Sequence, residues 1–359
     1  MNFDKILRVA VNGNASDVIL KTGSLPRFRH RGQLISLSDG EIITSETMKQ
    51  WIEQIVPKHL HQTFEENGDI DFGYESTFGH RFRVNLFKHR QKQGMVLRVI
   101  SNHVKTLEEL QLPAVIKRLA LSKRGLILVT GSTGSGKSTT LAAMIQKINQ
   151  ERSANIVTIE DPIEYIFTED KSTIIQRELG IDVNSFENAL RAALRQSPDV
   201  IFLGELRDKE STETALKAAE TGHLVLSTLH TGNSIESLNR LISYFQPHQH
   251  NSIRSQLSNT LQGIISQRLV RKINGKGMIP AIEILVANAR VKECIRDTEH
   301  NFAELSDAIK HGQKSYGMQS FDYSLFELYR SKKISQEEAL ENASARDNLK
   351  LMMQGVGAA

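Results

Sequence analysis

The sequence predicts an α/β protein of two domains, a small α+β domain with an antiparallel sheet followed by a larger domain built on a parallel sheet. Three observations carry that prediction. The stretch GSTGSGKST at residues 131–139 matches the G-x-x-x-x-G-K-[ST] phosphate-binding loop, and it lies between an apolar run and a helical pattern, as that loop's mechanism requires. Four apolar runs, at residues 126–129, 156–159, 200–203 and 224–229, alternate with helical spacing. Ahead of about residue 100 the pattern changes to short strand-like segments divided by glycine-containing turns.

A length of 359 residues suits two domains at about 100–200 residues each. With 39% hydrophobic and 24% charged residues, the composition is neither that of a disordered chain nor that of a fibrous one. No stretch of about 18 residues lacks charges, and the N-terminal segment carries Asp4, Lys5 and Arg8. No transmembrane helix, no secretory signal and a cytoplasmic location are therefore expected. The single cysteine, Cys294, excludes an intramolecular disulfide and a multi-cysteine zinc site. The 45 basic and 41 acidic residues are interspersed and leave a net charge of +4, which reads as a solvated mixed-charge surface rather than a polyanion groove. No nucleic-acid partner is expected.

Taken in order, residues 15–20, 69–74 and 81–86 read as strands and residues 47–64 as one helix, giving an N-terminal domain over 1–100. Polar and turn-forming residues at 101–113 read as a linker. The α/β core follows over 114–288, and helical patterning continues through a C-terminal region at 289–359. There Phe321, Leu325, Leu328 and Tyr329 form a stripe at helical spacing, read first as packing core and second as a partner surface.

In a parallel sheet, ligands bind at the carboxyl ends of the strands. The first apolar run leads into Gly131, Ser132, Thr133, Gly134, Ser135, Gly136, Lys137, Ser138 and Thr139. The glycines let backbone wrap phosphates, and the helix starting near Lys137 aims unpaired N–H groups at the anion. Lys137 would reach the β- and γ-phosphates, and Ser138 would offer its hydroxyl to Mg²⁺. Glu160, Asp161 and Glu164 follow the second run. Glu205, Arg207 and Asp208 follow the third, and His230 ends the fourth. An acid directly after a strand, as Glu205 is, suits a carboxylate that orients or deprotonates the attacking water. His223 and His230 would be separated by roughly 23 Å at about 3.3 Å per residue along a strand, so a shared metal is not expected. His230 is the better placed for a γ-phosphate, whereas His223 reads equally as a local cap. The chain has no Asn-Lys-x-Asp guanine signature, which favours ATP over GTP.

With these residues in view, the chain resembles the secretion ATPases of the bacterial type IV pilus retraction class, the PilT/PilU group. The phosphate loop is joined by TIEDPIEY at 158–165, similar to that family's acidic box, by IFLGELRD at 201–208, similar to its Walker B segment, and by GHLVLSTLHT at 222–231, similar to its histidine box. The resemblance implies a PAS-like N-terminal domain, a RecA-like motor domain and a homohexameric ring that uses ATP and Mg²⁺. It implies Glu205 as catalytic base, Glu164 as a second acid at the Mg²⁺ and water site, and His223 and His230 in the nucleotide pocket. On pattern alone Arg81 and Arg83 belong to a solvated strand face. The resemblance implies instead that they and Arg98 reach a neighbouring subunit's nucleotide. It further implies a motor peripheral to the inner membrane at the pilus base, not inserted in it, with a pilus platform protein as partner.

About a hundred residues precede the linker and Cys294 stands alone, whereas extension motors of this superfamily usually carry a further N-terminal region and a tetracysteine zinc site. Retraction is therefore favoured over pilus extension or type II secretion. Residues 290–295, RVKECI, stand where PilT-type motors bear an Ala-Ile-Arg-Asn-Leu-Ile helix, and they match it poorly. A PilT-type primary motor and a PilU-type accessory ATPase dependent on a paralogous retraction motor both stay open.

Overall fold

The computed structural model describes residues 2–30, 32–37, 40–100, 104–297, 302 and 304–355. The chain forms two compact units. One comprises Met1–Val104 with Asp161–Thr168 and Glu178–Asp182, and the other comprises Lys105–Glu160, Glu169–Arg177 and Val183–Ala359.

The first unit is a six-stranded sheet of β1 (Asp17–Lys21), β2 (Arg27–His30), β3 (Gln33–Ser36), β4 (Asp69–Glu75), β5 (Arg81–His89) and β6 (Lys92–Val99), in the order β3-β2-β1-β6-β5-β4. Every neighbouring pair is antiparallel. Strict alternation explains which face is covered: Phe82, Val84 and Leu86 of β5 are fully buried, while Arg83 between them is exposed. The apolar face shares one core with Phe3 and Leu7 of the helix Phe3–Asn12 and with Met48 and Trp51 of the helix Ser45–Ile55.

The single helix expected over 47–64 is in fact two, Ser45–Ile55 and Leu60–Asn67. The break falls at Pro57, which lacks a donor and crowds the residue before it out of the helical region, so Val56 is extended at φ −78, ψ 125. The strands β2 and β3 also go beyond the sequence expectation. Every residue of β3 is exposed, so it carries no buried alternation to detect.

Two short segments from the expected 114–288 core belong with this first unit. Glu178, only 2% exposed, is the reason: its carboxylate pairs with the Arg81 guanidinium and accepts a hydrogen bond from Ile163 N at 3.1 Å. Gly73 on β4 makes room for that pair, since a Cβ there would lie 2.7 Å from both Arg81 Nη2 and Glu178 Oε1.

The second unit is a seven-stranded sheet of β7 (Gly125–Thr130), β8 (Asn155–Glu160), β9 (Thr173–Glu178), β10 (Val200–Leu203), β11 (Leu224–Leu229), β12 (Leu261–Arg271) and β13 (Met278–Val286), in the order β13-β12-β7-β11-β10-β8-β9. The four runs read from the sequence form the contiguous parallel strip β7-β11-β10-β8. Leu126, Ile127, Leu128 and Val129 are all fully buried, which both parities of a strand reach only when helices cover both faces. The strands β9, β12 and β13 were not anticipated. They extend the strip on both sides, with β12 parallel to β7 and antiparallel to β13.

Residues 101–103 of the expected linker lie outside the described residues. From Lys105 onward the chain clusters with the second unit, and Leu107 is buried. Phe321 and Leu325 of the helix Phe321–Arg330 are buried against Val270, Ile279 and Ala281, with Leu328 and Tyr329 packed at the edge, so the C-terminal stripe is core. Cys294 is buried in the helix Ala289–Arg296, and burial raises its thiol pKa. Among the described residues no helix is long and apolar enough to cross a membrane.

Removing one partner of a buried ion pair strands the other, at a cost of about 3–5 kcal/mol. Glu178→Ala is therefore expected to destabilise the first unit by that order, and a paired Arg81→Met/Glu178→Leu replacement to recover most of the loss. Trp51, the sole tryptophan, lies in that unit's core, so its fluorescence in a urea titration reports the unit directly. An unchanged midpoint for Glu178→Ala would show that the pair contributes nothing.

Candidate nucleotide site

Strand register builds the site. β11 runs parallel beside β7 with Leu229 opposite Thr130, and β10 runs parallel beside β11 with Leu203 opposite Ser227. The chain leaving each strand therefore emerges at one edge of the sheet. From β7 comes the phosphate loop, from β11 His230, and from β10 Glu205. Backbone bonds stitch the three exits together: Gly131 N donates to Leu229 O at 3.3 Å, and Leu206 N donates to Thr228 O at 3.1 Å. The Thr228 hydroxyl donates to Gly204 O at 2.7 Å.

Within the loop, Gly131 has φ 146, and a Cβ there would stand 2.4 Å from Ser135 Oγ and 2.5 Å from Gln267 O, so only glycine fits. Gly136, left-handed at φ 91, opens the helix Lys137–Glu151 with no side chain capping it, which leaves the helix N-terminus for an anion. Lys137 is 8% exposed, and its ammonium donates to Gly131 O at 2.8 Å and Ser132 O at 2.9 Å. Ser135 Oγ is buried with no hydrogen-bond partner. A cationic side chain folded back on loop carbonyls, an orphaned buried hydroxyl and an uncapped helix start together fit a polyphosphate, which would satisfy all three. Ser132, Thr133 and Gly134 form the exposed rim of the loop, and Ser138 and Thr139 lie half-buried in the first helical turn.

Glu205 and His230 meet at the neighbouring strand exits, with His230 Nε2 standing 3.5 Å from Glu205 Oε2. The Arg207 guanidinium pairs with the other oxygen, Oε1. Glu205 retains 18% side-chain exposure, enough to reach a water.

His223 requires a correction. It precedes β11, whose first residue, Leu224, lies opposite Gly125 at the far end of β7 from the phosphate loop. Its Nδ1 lies 2.9 Å from Ala218 O and 3.1 Å from Thr221 Oγ1, at the end of the helix Lys209–Glu220. The structure thus removes His223 from this chain's phosphate site and makes it a local cap, because six strand residues separate the two ends of the sheet.

The remaining expected site residues belong to the first unit. Glu164 is exposed in the segment Asp161–Thr168. Arg83 and Arg98 are cross-strand partners on the polar sheet face. Like charges directly opposite repel. Each is balanced by one acid: Arg83 Nε lies 3.7 Å from Asp71 Oδ1, and Arg98 Nε lies 3.1 Å from Asp17 Oδ1. Arg81 does not join them. It turns to Glu178 and is largely buried.

Comparison with known proteins settles the lineage. The type II/IV secretion system protein family matches residues 3–320. The chain belongs to this family. It is 39% identical to the type IV pilus ATPase PilU of Pseudomonas aeruginosa over 99% of this chain and 92% of the relative. It is 40% identical to the type IV pilus retraction ATPase PilT of the same organism over 97% of this chain and all of the relative. The crystal structure of a pilus retraction motor PilT with bound ADP superposes with a TM-score of 0.89 at 41% identity, covering 98% of this chain and 99% of that one.

In this secretion-family chain, the sequence reading passed over a buried polar layer behind the site. Thr130 Oγ1 donates to Ser266 Oγ at 2.9 Å, and Ser237 Oγ lies 2.7 Å from Thr231 Oγ1, so hydroxyls back both the phosphate-loop strand and the His230 turn. Gln267, 2% exposed, holds Thr140 of the loop helix through Nε2 at 2.9 Å. The available signal was a polar triplet, Ser266, Gln267 and Arg268, between the apolar pairs Ile264-Ile265 and Leu269-Val270. Glu283 completes the layer, accepting from Ser234 N at 2.8 Å and Ser234 Oγ at 2.7 Å at the start of the helix Ser234–Ser243.

Burial pushes the Glu283 carboxyl above its usual value, against the opposing pull of the Ser234 bonds. The folded chain therefore keeps a proton that the unfolded chain has released, and stability falls as pH rises from about 4.5 through the raised value. Glu283→Gln, which keeps an acceptor for Ser234 without the charge, is expected to flatten that part of the slope. Melting temperatures of both proteins from about pH 4 to about pH 8 check it, and identical slopes would contradict the assignment.

Proposed function

We propose that this protein is an ATP-hydrolysing motor of type IV pilus retraction, acting as a ring of six copies. The observation that carries the reading is the register-locked edge of the second sheet. It presents a phosphate loop, His230 and Glu205 side by side, in a chain similar over almost its whole length to the type IV pilus retraction ATPase PilT and the type IV pilus ATPase PilU.

The domain scheme is 1–100, a linker at 101–113, a motor core over 114–288 and a C-terminal helical region over 289–359, save that the chain from Lys105 clusters with the core while Asp161–Thr168 and Glu178–Asp182 cluster with the N-terminal domain. The sheet order β3-β2-β1-β6-β5-β4 with helices on one face supports a PAS-like N-terminal domain. The position of β7 between β11 and β12, both later in the chain, supports a RecA-like core.

In the motor core, Lys137 exchanges its loop carbonyls for the β- and γ-phosphates, while Gly131 and Gly136 let backbone N–H groups approach them. Ser138 would offer its hydroxyl to Mg²⁺, with Glu164 as the second acid expected for that ion, and Mg²⁺ would supply positive charge to offset that of the phosphates. Glu205 accepts the proton of the attacking water, and His230 stands beside the same carboxylate to sense the γ-phosphate. Arg83 and Arg98, two guanidinium groups kept adjacent on a solvent-facing sheet, serve a neighbouring copy's γ-phosphate, tying hydrolysis to assembly. The motor works from the cytoplasm at the inner-membrane pilus base, on a platform protein.

A second reading has its own support. Residues 290–295 lie on the helix Ala289–Arg296, where Arg290 is committed to Glu293 and Glu304 rather than presented alone. With PilU and PilT relatives equally similar, an accessory ATPase that needs a partner motor fits that altered surface.

Lys137→Ala is expected to weaken nucleotide binding. Glu205→Ala is expected to leave binding intact and slow hydrolysis by about 10²–10⁴-fold, read by Mg²⁺-dependent phosphate release beside equilibrium ADP binding. Parental hydrolysis by Glu205→Ala would remove the base assignment. Activity per subunit should rise with protein concentration, and Arg83→Ala should abolish that rise alone; an equal loss in dilute monomer would remove the role in trans. ATP binding without hydrolysis, restored only by a second motor, would favour the accessory reading.

A further inference from the structure

The loop between β10 and the helix Lys209–Glu220 contains a second charged residue whose geometry concerns Glu205 directly. Residues 205–207 have no helical or strand pairing of their own, yet they are not loose. Leu206 is 2% exposed, its N–H donates to Thr228 O at 3.1 Å, and its carbonyl accepts from the Tyr244 hydroxyl at 3.2 Å. Asp208 then caps the following helix, its Oδ1 accepting from Ser211 N at 2.8 Å. Glu205 and Arg207 flank the buried, pinned Leu206, and their side chains meet beside it. The Arg207 guanidinium pairs with Glu205 Oε1 and also lies 5.8 Å from the centre of the Phe186 ring. The opposite oxygen, Oε2, is the one beside His230 at 3.5 Å.

We propose that Arg207 is a positioning residue for hydrolysis, holding Oε1 of Glu205 so that Oε2 is the oxygen that accepts the proton of the attacking water. The proposal rests on the reading of Glu205 as the base. In the step it serves, water gives a proton to Oε2 and its oxygen bonds to the γ-phosphorus. The bond from that phosphorus to the bridging oxygen breaks, with the electron pair left on ADP. A flexible carboxylate with two equivalent oxygens would otherwise sample several rotamers and divide its time between them. A guanidinium suits the task because its charge is permanent and its planar fork sets the direction of the bond. The Phe186 ring, at the start of the helix Phe186–Ala193, lies at cation–π distance from the same guanidinium. Arg207 needs no contact with nucleotide for this role, so its loss should appear in turnover and not in binding.

The test is a double-mutant cycle in the full chain, at a protein concentration where activity per subunit has reached its plateau. It compares the parent, Arg207→Ala, Glu205→Gln and the double variant by steady-state ATP hydrolysis, with Arg207→Lys as the conservative control. Arg207→Ala is expected to lower kcat by about 10–100-fold while KM for ATP and affinity for ADP stay within about twofold, which also certifies the fold. Arg207→Lys should fall between parent and Arg207→Ala. In the Glu205→Gln background, removing Arg207 should change the rate by less than about twofold, because there is no longer a carboxylate to position. An equal proportional loss in both backgrounds, or a loss carried by KM, would overturn the positioning role and leave the base assignment standing. Parental hydrolysis by Glu205→Gln alone would sink the base assignment and this proposal with it.

Discussion

The parallel register of β7, β11 and β10 is the constraint on which the rest of the site depends. A parallel ladder aligns strand ends as well as strand bodies, so three segments far apart in sequence leave the sheet at one edge. The contacts among the phosphate loop, His230 and Glu205 follow from that edge. Gly131 is bonded to the residue before His230, and Leu206 to the residue before Leu229, so a one-residue slip of β11 would move His230 away from both the phosphate loop and Glu205.

Complete burial of the strip protects that register. Apolar side chains cover both faces, and the polar pairs that a slip would break lie behind the loop, where the hydroxyls of Thr130, Ser266, Ser237 and Thr231 satisfy one another. The same layer holds Gln267 against the loop helix and Glu283 against the helix after His230. A buried polar group costs stability when unpaired, and the pairing here links the strands and helices around the nucleotide site.

Charge in the first unit follows a different logic. The row Arg98 and Arg83 lies on an open sheet face, with Asp17 bonded directly to Arg98 and Asp71 standing 3.7 Å from Arg83 as counter-charges. Arg81, on the same strand parity, is withdrawn by Glu178 into a buried pair that also binds the backbone of Ile163, immediately before Glu164. Alternation placed Arg81 and Arg83 on one face, and only the pairing of β5 with β6 set Arg98 opposite Arg83. It could not tell which of them is committed within the unit.

What the sequence determined by itself was local in origin. A run of apolar residues, a glycine-rich turn and a helix start are contiguous, so the phosphate loop, its Lys137 and the acid following β10 could be read directly, as could the fold class and the apolar parity of β5. The tertiary structure decided what depends on pairing between distant segments. It decided the order of the strands, the flanking β9, β12 and β13, and the removal of His223 to the far end of the sheet. It also decided the capture of Arg81 by a glutamate 97 positions away and the pairing of Arg207 with Glu205 over a pinned Leu206. The physical reason is that periodicity reports which face of an element is buried, while register, edge position and the partner of a charge are set by elements that meet only when the chain has folded.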